Sequence, residues 1–345
     1  TTFKQNAATT LLTNAQKNRV TMGMYAELDY NQQFGDSVRH AGNIDVHRLV
    51  LLFAYKFSDR ATFVTEIEVE HVKEIYIEQA FLNVRANDKL NIKGGLLLIP
   101  MGIINEYHEP TIRNGVERPN VDKYIVPSTW REIGLGISGN FDNASLAYQL
   151  YLVNGFLGYN NDGGKFRGVD GYRKGRQKGA EAVFSSPNLS AKIDYYGIRG
   201  LKIGLSAYTG ESQTTAFNGI SDSDTYMMTT ADSTVIRIGM LGIDARYRFK
   251  NFTTRGQLIY SVNDNTSAYN AYTGKDLGSA MLGGYVEGAY DFWSLIAGNT
   301  NHSLTLFARY EYYNTHQKVS EGIVKNDAFN RSDLLMGLGF WISPG

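Results

Sequence analysis

Side chains alternate between apolar and polar residues, with a period of two, along fourteen short stretches of this sequence. Residues 302–313 show the pattern best, with Leu304, Leu306, Ala308, Tyr310 and Tyr312 at one parity and Ser303, Thr305, Arg309 and Glu311 at the other. Successive side chains of a β-strand point to opposite faces, so each stretch has one apolar and one polar face. The polar faces carry full charges, which a soluble core tolerates only when they are paired. The pattern therefore predicts an all-β fold, a transmembrane antiparallel up-and-down β-barrel with apolar residues facing lipid and charged residues facing a water-filled lumen.

Short and long connections alternate between the predicted strands. The strands cover residues 19–31, 43–57, 61–72, 74–86, 89–99, 129–141, 144–154, 189–197, 201–209, 234–249, 252–264, 279–293, 302–317 and 330–343. The long connections are 32–42, 100–128, 155–188, 210–233, 265–278 and 318–329. Outer-membrane barrels have short periplasmic turns and long external loops, so we expect the long connections outside. The tight connection near residues 71–74 is the exception, and a change of parity beside it predicts a bulge or a strand end above the bilayer.

Composition favours a single large barrel. Tyrosine, phenylalanine and tryptophan number 23, 17 and 3, which suits aromatic girdles, whereas the chain has only 6 prolines, which strands exclude. No apolar run approaches the roughly 18 residues of a spanning helix, which excludes a helical membrane protein. Lysine plus arginine and aspartate plus glutamate both number 34, so no net field attracts a polyanion and we expect no nucleic-acid partner.

The two ends of the sequence carry separate expectations. Residues 1–16 are polar and aperiodic, and they are expected to form a periplasmic tail or a segment inside the lumen of the single barrel of residues 17–345. The first residues lack a basic and apolar leader, as in a mature protein after signal removal. The last residues, Ser343, Pro344 and Gly345, have the chemistry of a short turn. One further hairpin is expected after them, giving sixteen strands, and closure with fourteen strands is the alternative.

A family resemblance is carried by residues 95–134. The segments are Gly95-Leu96-Leu97-Leu98-Ile99-Pro100-Met101-Gly102, then Asn105-Glu106-Tyr107-His108-Glu109-Pro110, Gly115-Val116-Glu117-Arg118-Pro119, and Tyr124-Ile125-Val126-Pro127-Ser128-Thr129-Trp130-Arg131-Glu132-Ile133-Gly134. They resemble the phosphate-selective porin O and P family, in the branch found in the outer membranes of Bacteroidetes, which are Gram-negative. The resemblance implies a sixteen-stranded channel, often a homotrimer, whose third external connection folds inward. That connection is residues 100–128 here.

Two groups of charged residues are the predicted channel site. The constriction group lies in residues 100–128 and contains Glu106, His108, Glu109, Arg113, Glu117, Arg118 and Lys123. The lumen wall contains Lys93, Lys192, Asp244, Arg246, Arg248, Arg309 and Glu311. Opposing charges across a narrow opening would set ion preference, and the alternative is a surface loop whose charges pair locally. The wall lacks an arginine series like that of the phosphate-selective members, so its mixed charge favours a general pore.

A third group, the basic loop, contains Arg173, Lys174, Arg176 and Lys178. It would attract anions or contact lipopolysaccharide phosphates, and the alternative is a solvated loop. Asp222, Asp224 and Asp232 could bind a divalent cation, but such spacing is common. His108 and Glu109 could form a metal pair, but no second histidine has a matching spacing. The histidines lie beside no nucleophile motif, so we expect no enzyme activity, no metal site and no cofactor.

These patterns predict a porin, a passive channel for ions and small hydrophilic solutes in the outer membrane, with membrane lipid and lipopolysaccharide as partners. The alternative is a structural or docking barrel with a blocked lumen, whose loops bind envelope proteins.

Overall fold

The computed structural model describes residues 6–15, 17–35, 38–297 and 302–342. Fourteen strands form one large sheet and are numbered here in chain order. They are β1 Val20–Asn31, β2 Asn43–Lys56, β3 Ala61–Glu70, β4 Glu74–Asn87, β5 Leu90–Leu98, β6 Arg131–Phe141, β7 Leu146–Val153, β8 Asn188–Tyr195, β9 Leu201–Glu211, β10 Arg237–Phe249, β11 Phe252–Asp264, β12 Ala280–Asp291, β13 Ser303–Lys318 and β14 Asn330–Trp341. The prediction of fourteen strands is confirmed, and each boundary lies within three residues of its predicted position.

Each strand of the large sheet pairs antiparallel with its neighbours in the sequence. The order is β1 to β14 without a crossover, which is an up-and-down sheet. Within the described residues, β1 pairs only with β2 and β14 pairs only with β13. The period-two pattern explains the regular registers, because a slip of one residue would turn every charged side chain to the opposite face.

The connections alternate in length as predicted. Short turns have local side-chain bonds, such as the Ser58 hydroxyl accepting from the backbone amide of Ala61 at 3.1 Å. Gly200 has a φ of +79° in another short turn, and a Cβ there would lie 2.3 Å from the carbonyl oxygen of Arg248. We call this edge of the sheet the short-turn end and the opposite edge the long-connection end.

Helices and a small second sheet lie outside the fourteen strands. The helices are α1 Ala7–Ala15, α2 Val121–Tyr124, α3 Thr225–Asp232, α4 Thr266–Thr273 and α5 Trp293–Ala297. Short strands at Leu157–Asn160, Gly163–Gly164 and Gln213–Thr214 form the small sheet in the long connections. None of the described helices has the length and hydropathy needed to cross a bilayer.

The two faces of the large sheet have opposite chemistry. On β13, Arg309 is 1% exposed and Glu311 is 2% exposed, whereas Leu306 and Tyr310, at the opposite parity, are each more than half exposed. On β14, Met336 is 70% exposed. Charged groups therefore face the interior and large apolar groups face outward, which is the reverse of a soluble protein.

A bulge in β4 accounts for the change of parity seen in the sequence. Glu66 of β3 pairs with Gln79, but the next residue, Ile67, pairs with Ile77, so Glu78 is an extra residue on β4. Glu78 and Gln79 are both buried, although adjacent side chains of a regular strand face opposite sides. The predicted bulge is confirmed, and it turns the carboxylate of Glu78 inward.

The core lies on the inner face of the sheet, where two long connections pack against strand side chains such as Val50 and Phe81. Residues 100–128, called here the interior segment, are mostly buried. The connection between β7 and β8, predicted as an external loop, also enters the interior with its first half, since Phe156, Phe166 and Tyr172 are fully buried. The Phe156 ring stacks on that of Trp130 with centroids 4.2 Å apart. This aromatic core lies at the long-connection end.

The first described residues also lie inside. Helix α1 packs against β1, β2 and β3 and buries Leu11 and Ala15. Of the two alternatives for residues 1–16, this placement agrees with a segment inside the lumen, although residues 1–5 and 16 lie outside the described part. The connection between the predicted strands 279–293 and 302–317 begins as α5, and residues 298–301 are outside the described part. The predicted turn at Ser343, Pro344 and Gly345 is outside it as well.

Candidate functional site

The interior segment crosses the inner face of the sheet and bonds to both of its edge strands. The guanidinium of Arg113 donates to Glu27 of β1 at 2.5 Å. The Asn120 side chain donates to Asp333 of β14 at 3.0 Å. Strands at opposite edges of a fourteen-stranded sheet can meet one short segment only if the sheet curls around it. The segment and the wall groups that hold it are the candidate site.

Arg48 organises the contacts near the first strands. It is fully buried on β2 and donates to Glu27 at 2.8 Å and to Glu68 at 3.2 Å. A third bond runs from its guanidinium to the backbone carbonyl of His108 at 3.0 Å. Because Glu27 also accepts from Arg113, the two arginines share one carboxylate. This chain of charges ties the segment to β1, β2 and β3.

His108 is the most deeply buried titratable group of this part of the segment. Its Nε2 lies 3.0 Å from a carboxylate oxygen of Glu66 on β3. Burial alone would lower the pKa of His108, but Glu66 and the nearby Glu109 raise it to about 9. The carboxylate of Glu109 accepts a bond from the backbone amide of Ala7 at the start of α1. His108 is therefore a charged group that fastens the segment to the wall at neutral pH.

Glu106 and Tyr107 attach the interior segment to the middle strands of the sheet. Glu106 accepts from Lys192 of β8 and from Gln149 of β7, both at 2.8 Å. Burial would raise the pKa of Glu106, but Lys192 and Lys202 lower it to about 2, so the group is ionised. The Tyr107 hydroxyl accepts from Lys202 at 3.2 Å, and the Arg246 guanidinium lies 4.0 Å from the centre of its ring.

The last part of the segment bonds to the later strands. The backbone amide of Asn120 donates to Glu311 at 2.8 Å, and Arg309 donates to the carbonyl of Glu117 at 2.7 Å. Gln257 of β11 donates to both oxygens of Asp122 and accepts from the backbone amide of Ile103. Burial raises the pKa of Asp122 to about 7 despite these hydrogen bonds.

The remaining predicted constriction residues are less enclosed. Glu117 and Lys123 are exposed, with the Lys123 ammonium 5.5 Å from the centre of the Tyr124 ring. Arg118 donates to the Ser128 hydroxyl at 3.3 Å. The structure thus separates the predicted group into a buried set, Glu106, His108, Glu109 and Arg113, and a less buried set, Glu117, Arg118 and Lys123.

The predicted wall charges face inward, but most of them do not line open water. Lys192, Asp244, Arg246, Arg309 and Glu311 are buried. Lys192 lies 3.2 Å from Asp244 as well as contacting Glu106, and Arg309 donates to Glu311 at 2.6 Å. These charges hold the interior segment. Lys93 borders a cavity, and Arg248 is exposed at the short-turn end.

The basic loop also has residues that bond to the interior and residues that are exposed. Arg176 donates to the backbone carbonyl of Ser128 at 2.6 Å, and burial among other arginines lowers its pKa to about 9. The Lys178 ammonium lies 4.3 Å from the centre of the Tyr76 ring. Arg173 is half-buried and Lys174 is exposed. Arg176 therefore braces the end of the interior segment, and the loop is not simply a solvated tail.

A cavity of about 760 Å³ with a mixed apolar and charged lining opens on the short-turn side of the segment. One side of it is α1, with Ala8, Thr9, Leu12 and Thr13. Its charged lining residues are Asp59, Arg60, Arg85, Lys93, Glu106, Asp194, Arg199 and Lys202, five basic and three acidic. Glu106 and Tyr107 form its inner boundary, so the cavity ends at the interior segment. We call it the short-turn cavity.

Several residues of the site were not predicted from the sequence. Glu27, Arg48, Glu66, Glu78 and Gln257 all hold the interior segment or its flanks. A signal existed for one of them, because Glu66 begins a run of glutamates at residues 66, 68 and 70 on one face of β3.

No metal site was predicted from the sequence. The described residues nevertheless contain one group of side chains that could bind a metal ion. Asp45, His47 and His71 bring their ligand atoms within 4.8 Å of one another at the long-connection end. The aspartates considered from the sequence do not form such a group in the described part, and Asp224 instead caps α3 by accepting from the Met227 amide. His108, considered as half of a metal pair, is bonded to Glu66.

Comparison with solved structures identifies the fold. An anion-selective porin from Comamonas acidovorans superimposes with a TM-score of 0.53 at 10% identity, over 93% of this chain and 83% of that one. Salmonella typhi OmpF, solved in complex with daunomycin, gives 0.52 at 11% identity, over 90% and 83% of the two chains. The fold is therefore of porin type, which agrees with the outer-membrane localisation predicted from the sequence.

Sequence comparison identifies a relative. No family model matches the chain, so the expected membership of the phosphate-selective porin O and P family is not shown. A protein of Aquifex aeolicus described as uncharacterized is 31% identical over 318 residues, which cover 90% of this chain and 69% of that protein. The chain belongs to the same family as this Aquifex aeolicus protein.

Proposed function

We propose that this chain is an outer-membrane porin, whose sheet closes into a transmembrane β-barrel and lets ions and small hydrophilic solutes diffuse passively through its lumen. The observation that carries the proposal is the reversed distribution of side chains, with Lys192 and Arg309 1% exposed inside and Leu338 67% exposed outside. Buried charge and outward apolar surface together suit a wall between lipid and a polar interior. The porin-type fold supports the same function.

The interior segment would narrow this channel. Its bonds to Glu27 on β1 and Asp333 on β14 support closure of the sheet, because they bring both edge strands to one interior. The short-turn cavity would be the periplasmic entrance, and solutes would pass Glu106 and Tyr107 at its inner boundary. Five basic against three acidic lining groups favour entry of anions over cations.

The assembly is a further part of the proposal. The resemblance over residues 95–134 to the phosphate-selective porin O and P family supports a sixteen-stranded barrel and a homotrimer. Lys174 is exposed beside Arg173 at the long-connection end and would contact lipopolysaccharide phosphates. The Comamonas protein is an anion-selective porin, which agrees with the basic excess of the short-turn cavity.

Single-channel conductance in a planar bilayer tests the proposal. We expect steady steps from the whole chain, and larger steps after deletion of residues 108–123, because that deletion removes most bonds between the segment and the wall. Deletion of residues 217–230, in the largely exposed connection between β9 and β10, is the control and should leave the conductance unchanged. Equal conductance of the whole chain and the 108–123 deletion would contradict the role of the interior segment.

A docking barrel with a blocked lumen is the second candidate. It is favoured by the way α1 and the interior segment close on each other, since Asn6 donates to the Glu106 carbonyl at 3.2 Å and Ala7 donates to Glu109. In that case the whole chain is silent in the bilayer, and removal of residues 1–16 opens a current. A conducting whole chain would exclude this candidate.

A further inference from the structure

We propose that Asp29, Asp45, His47 and His71 form a binding site for a divalent transition cation of the zinc class at the long-connection end of β1 and β2. The site is independent of the proposed channel, because none of its members contacts the interior segment in the described structure. Two strands and one turn contribute its ligands, so a bound ion would join β1, β2 and the turn between β3 and β4.

The register of the first hairpin brings the two carboxylates together. Asp29 and Asp45 are directly paired residues of β1 and β2, immediately after an irregularity in the register. Like charges in directly opposed positions destabilise a strand pair. Neither carboxylate is deeply buried, with side-chain exposures of 20% and 23%, so a cation from solution can reach both.

The imidazoles complete a ligand set of suitable size. His47 Nδ1 lies 3.4 Å from an oxygen of Asp29 and 3.9 Å from an oxygen of Asp45. His71 Nδ1 contacts the same oxygen of Asp45. Ligands about 2.1 Å from a tetrahedral zinc ion are about 3.4 Å apart. The ligand atoms of Asp45, His47 and His71 already lie within 4.8 Å of one another, and Asp29, 3.4 Å from His47, would move further to supply the fourth ligand.

The turn that carries His71 has an unusual backbone. His71 and Val72 have φ values of +51° and +66°, in the left-handed region that β-branched residues such as valine rarely adopt. The turn is closed by the Lys73 amide donating to the Glu70 carbonyl at 3.1 Å, and the His71 amide donates to the His47 carbonyl at 3.3 Å. The two imidazole rings consequently meet edge to face, with centroids 5.6 Å apart.

The donor set selects the class of cation. Two nitrogen and two carboxylate oxygen donors suit zinc and its transition-metal neighbours. Calcium prefers six to eight oxygen ligands, which this site does not offer within the described residues. We therefore expect binding of zinc and little competition from calcium.

Isothermal titration of the purified full chain in detergent, after removal of metal with a chelator, tests the site with zinc chloride. We expect one zinc ion per chain, at least tenfold weaker binding in His47→Ala and His71→Ala, and no binding in the double variant. His40→Ala is the matched control, because His40 lies in the neighbouring connection at the same end but outside the cluster. It should bind zinc as the unmodified chain does.

The proposal is overturned if the unmodified chain binds no zinc, if the double variant binds it unchanged, or if equimolar calcium displaces it. Should circular dichroism show that an alanine variant is misfolded, His71→Gln and Asp45→Asn keep the side-chain volume and test the same ligands. Channel conductance is not a readout here, so failure of the porin proposal would leave this test intact.

Discussion

Lys192 of β8 and Glu106 of the interior segment form a buried ion pair, with 2.8 Å between the ammonium nitrogen and the carboxylate oxygen. The Lys192 ammonium also donates to the carbonyl of Gly102 at 2.9 Å, so one wall side chain holds the segment at two points. The wall charges predicted to line a pore thus position the segment that would narrow it.

Lys192→Met should lower the free energy of unfolding by about 3–5 kcal/mol, because it leaves Glu106 buried without its main partner. Denaturant-induced unfolding in detergent measures this loss. The double variant Lys192→Met with Glu106→Gln should recover part of it, since no uncompensated carboxylate then remains at residue 106. Equal loss in the single and double variants would show that the ion pair itself is unimportant.

Because of the pair of His108 with Glu66, the folded state should lose stability at alkaline pH. The pKa of His108 is raised from 6.5 to about 9, so the folded state binds the proton more tightly than the unfolded state. Its contribution to stability is complete below about pH 6.5 and is lost as the pH rises through about 9. The difference in unfolding free energy between the unmodified chain and His108→Gln should therefore shrink between pH 7 and 10. A difference that stays constant over this range would contradict the assignment, and His40→Gln serves as the control.

Gly283→Ala should weaken the contact between β12 and α2. A Cβ at Gly283 would lie 2.9 Å from a methyl carbon of Val121 and 3.0 Å from one of Ile125, so these side chains of the interior segment must move. We expect a loss of about 1–3 kcal/mol in unfolding free energy, the usual cost of overpacking. Gly288→Ala is the control on the same strand, because the nearest atom to its Cβ is a Phe252 carbon at 3.8 Å. Equal stability of the two variants would refute this close contact.

Arg60→Gln combined with Arg85→Gln should reduce anion preference. Both arginines line the short-turn cavity, where they provide two of its five positive charges. The reversal potential in a salt gradient should move toward that of a nonselective pore. Lys250→Gln removes a charge from the same end of the sheet but not from the cavity lining, and it should leave the potential unchanged. The same shift in both variants would indicate a general surface-charge effect.

The strands were predictable from the sequence because lipid and a polar interior impose a period of two on nearly every one of them. The bulge at Glu78 was also recognisable, since an extra residue reverses that period. The contacts of the interior segment were not predictable. Arg113 meets Glu27 across 86 residues, and no local pattern specifies how far the sheet curls.

The zinc-class ligands were missed for a related reason. His47 and Asp45 are close in the sequence, but Asp29 and His71 join them only through strand pairing and the turn after β3. An inventory of spacings along one element finds ligand sets on a helix or a single strand. It does not find sets assembled from neighbouring strands.

The interior segment bonds to residues that are far from it in the sequence, and this separation affects the order of folding. Each wall strand pairs with its neighbour in the chain, so hairpins can form locally and early. Asn120, in contrast, bonds to Glu311 and Asp333, which follow it by 191 and 213 residues. The segment can reach its final position only after the last two strands have arrived, so we expect its bonds to be among the latest to form.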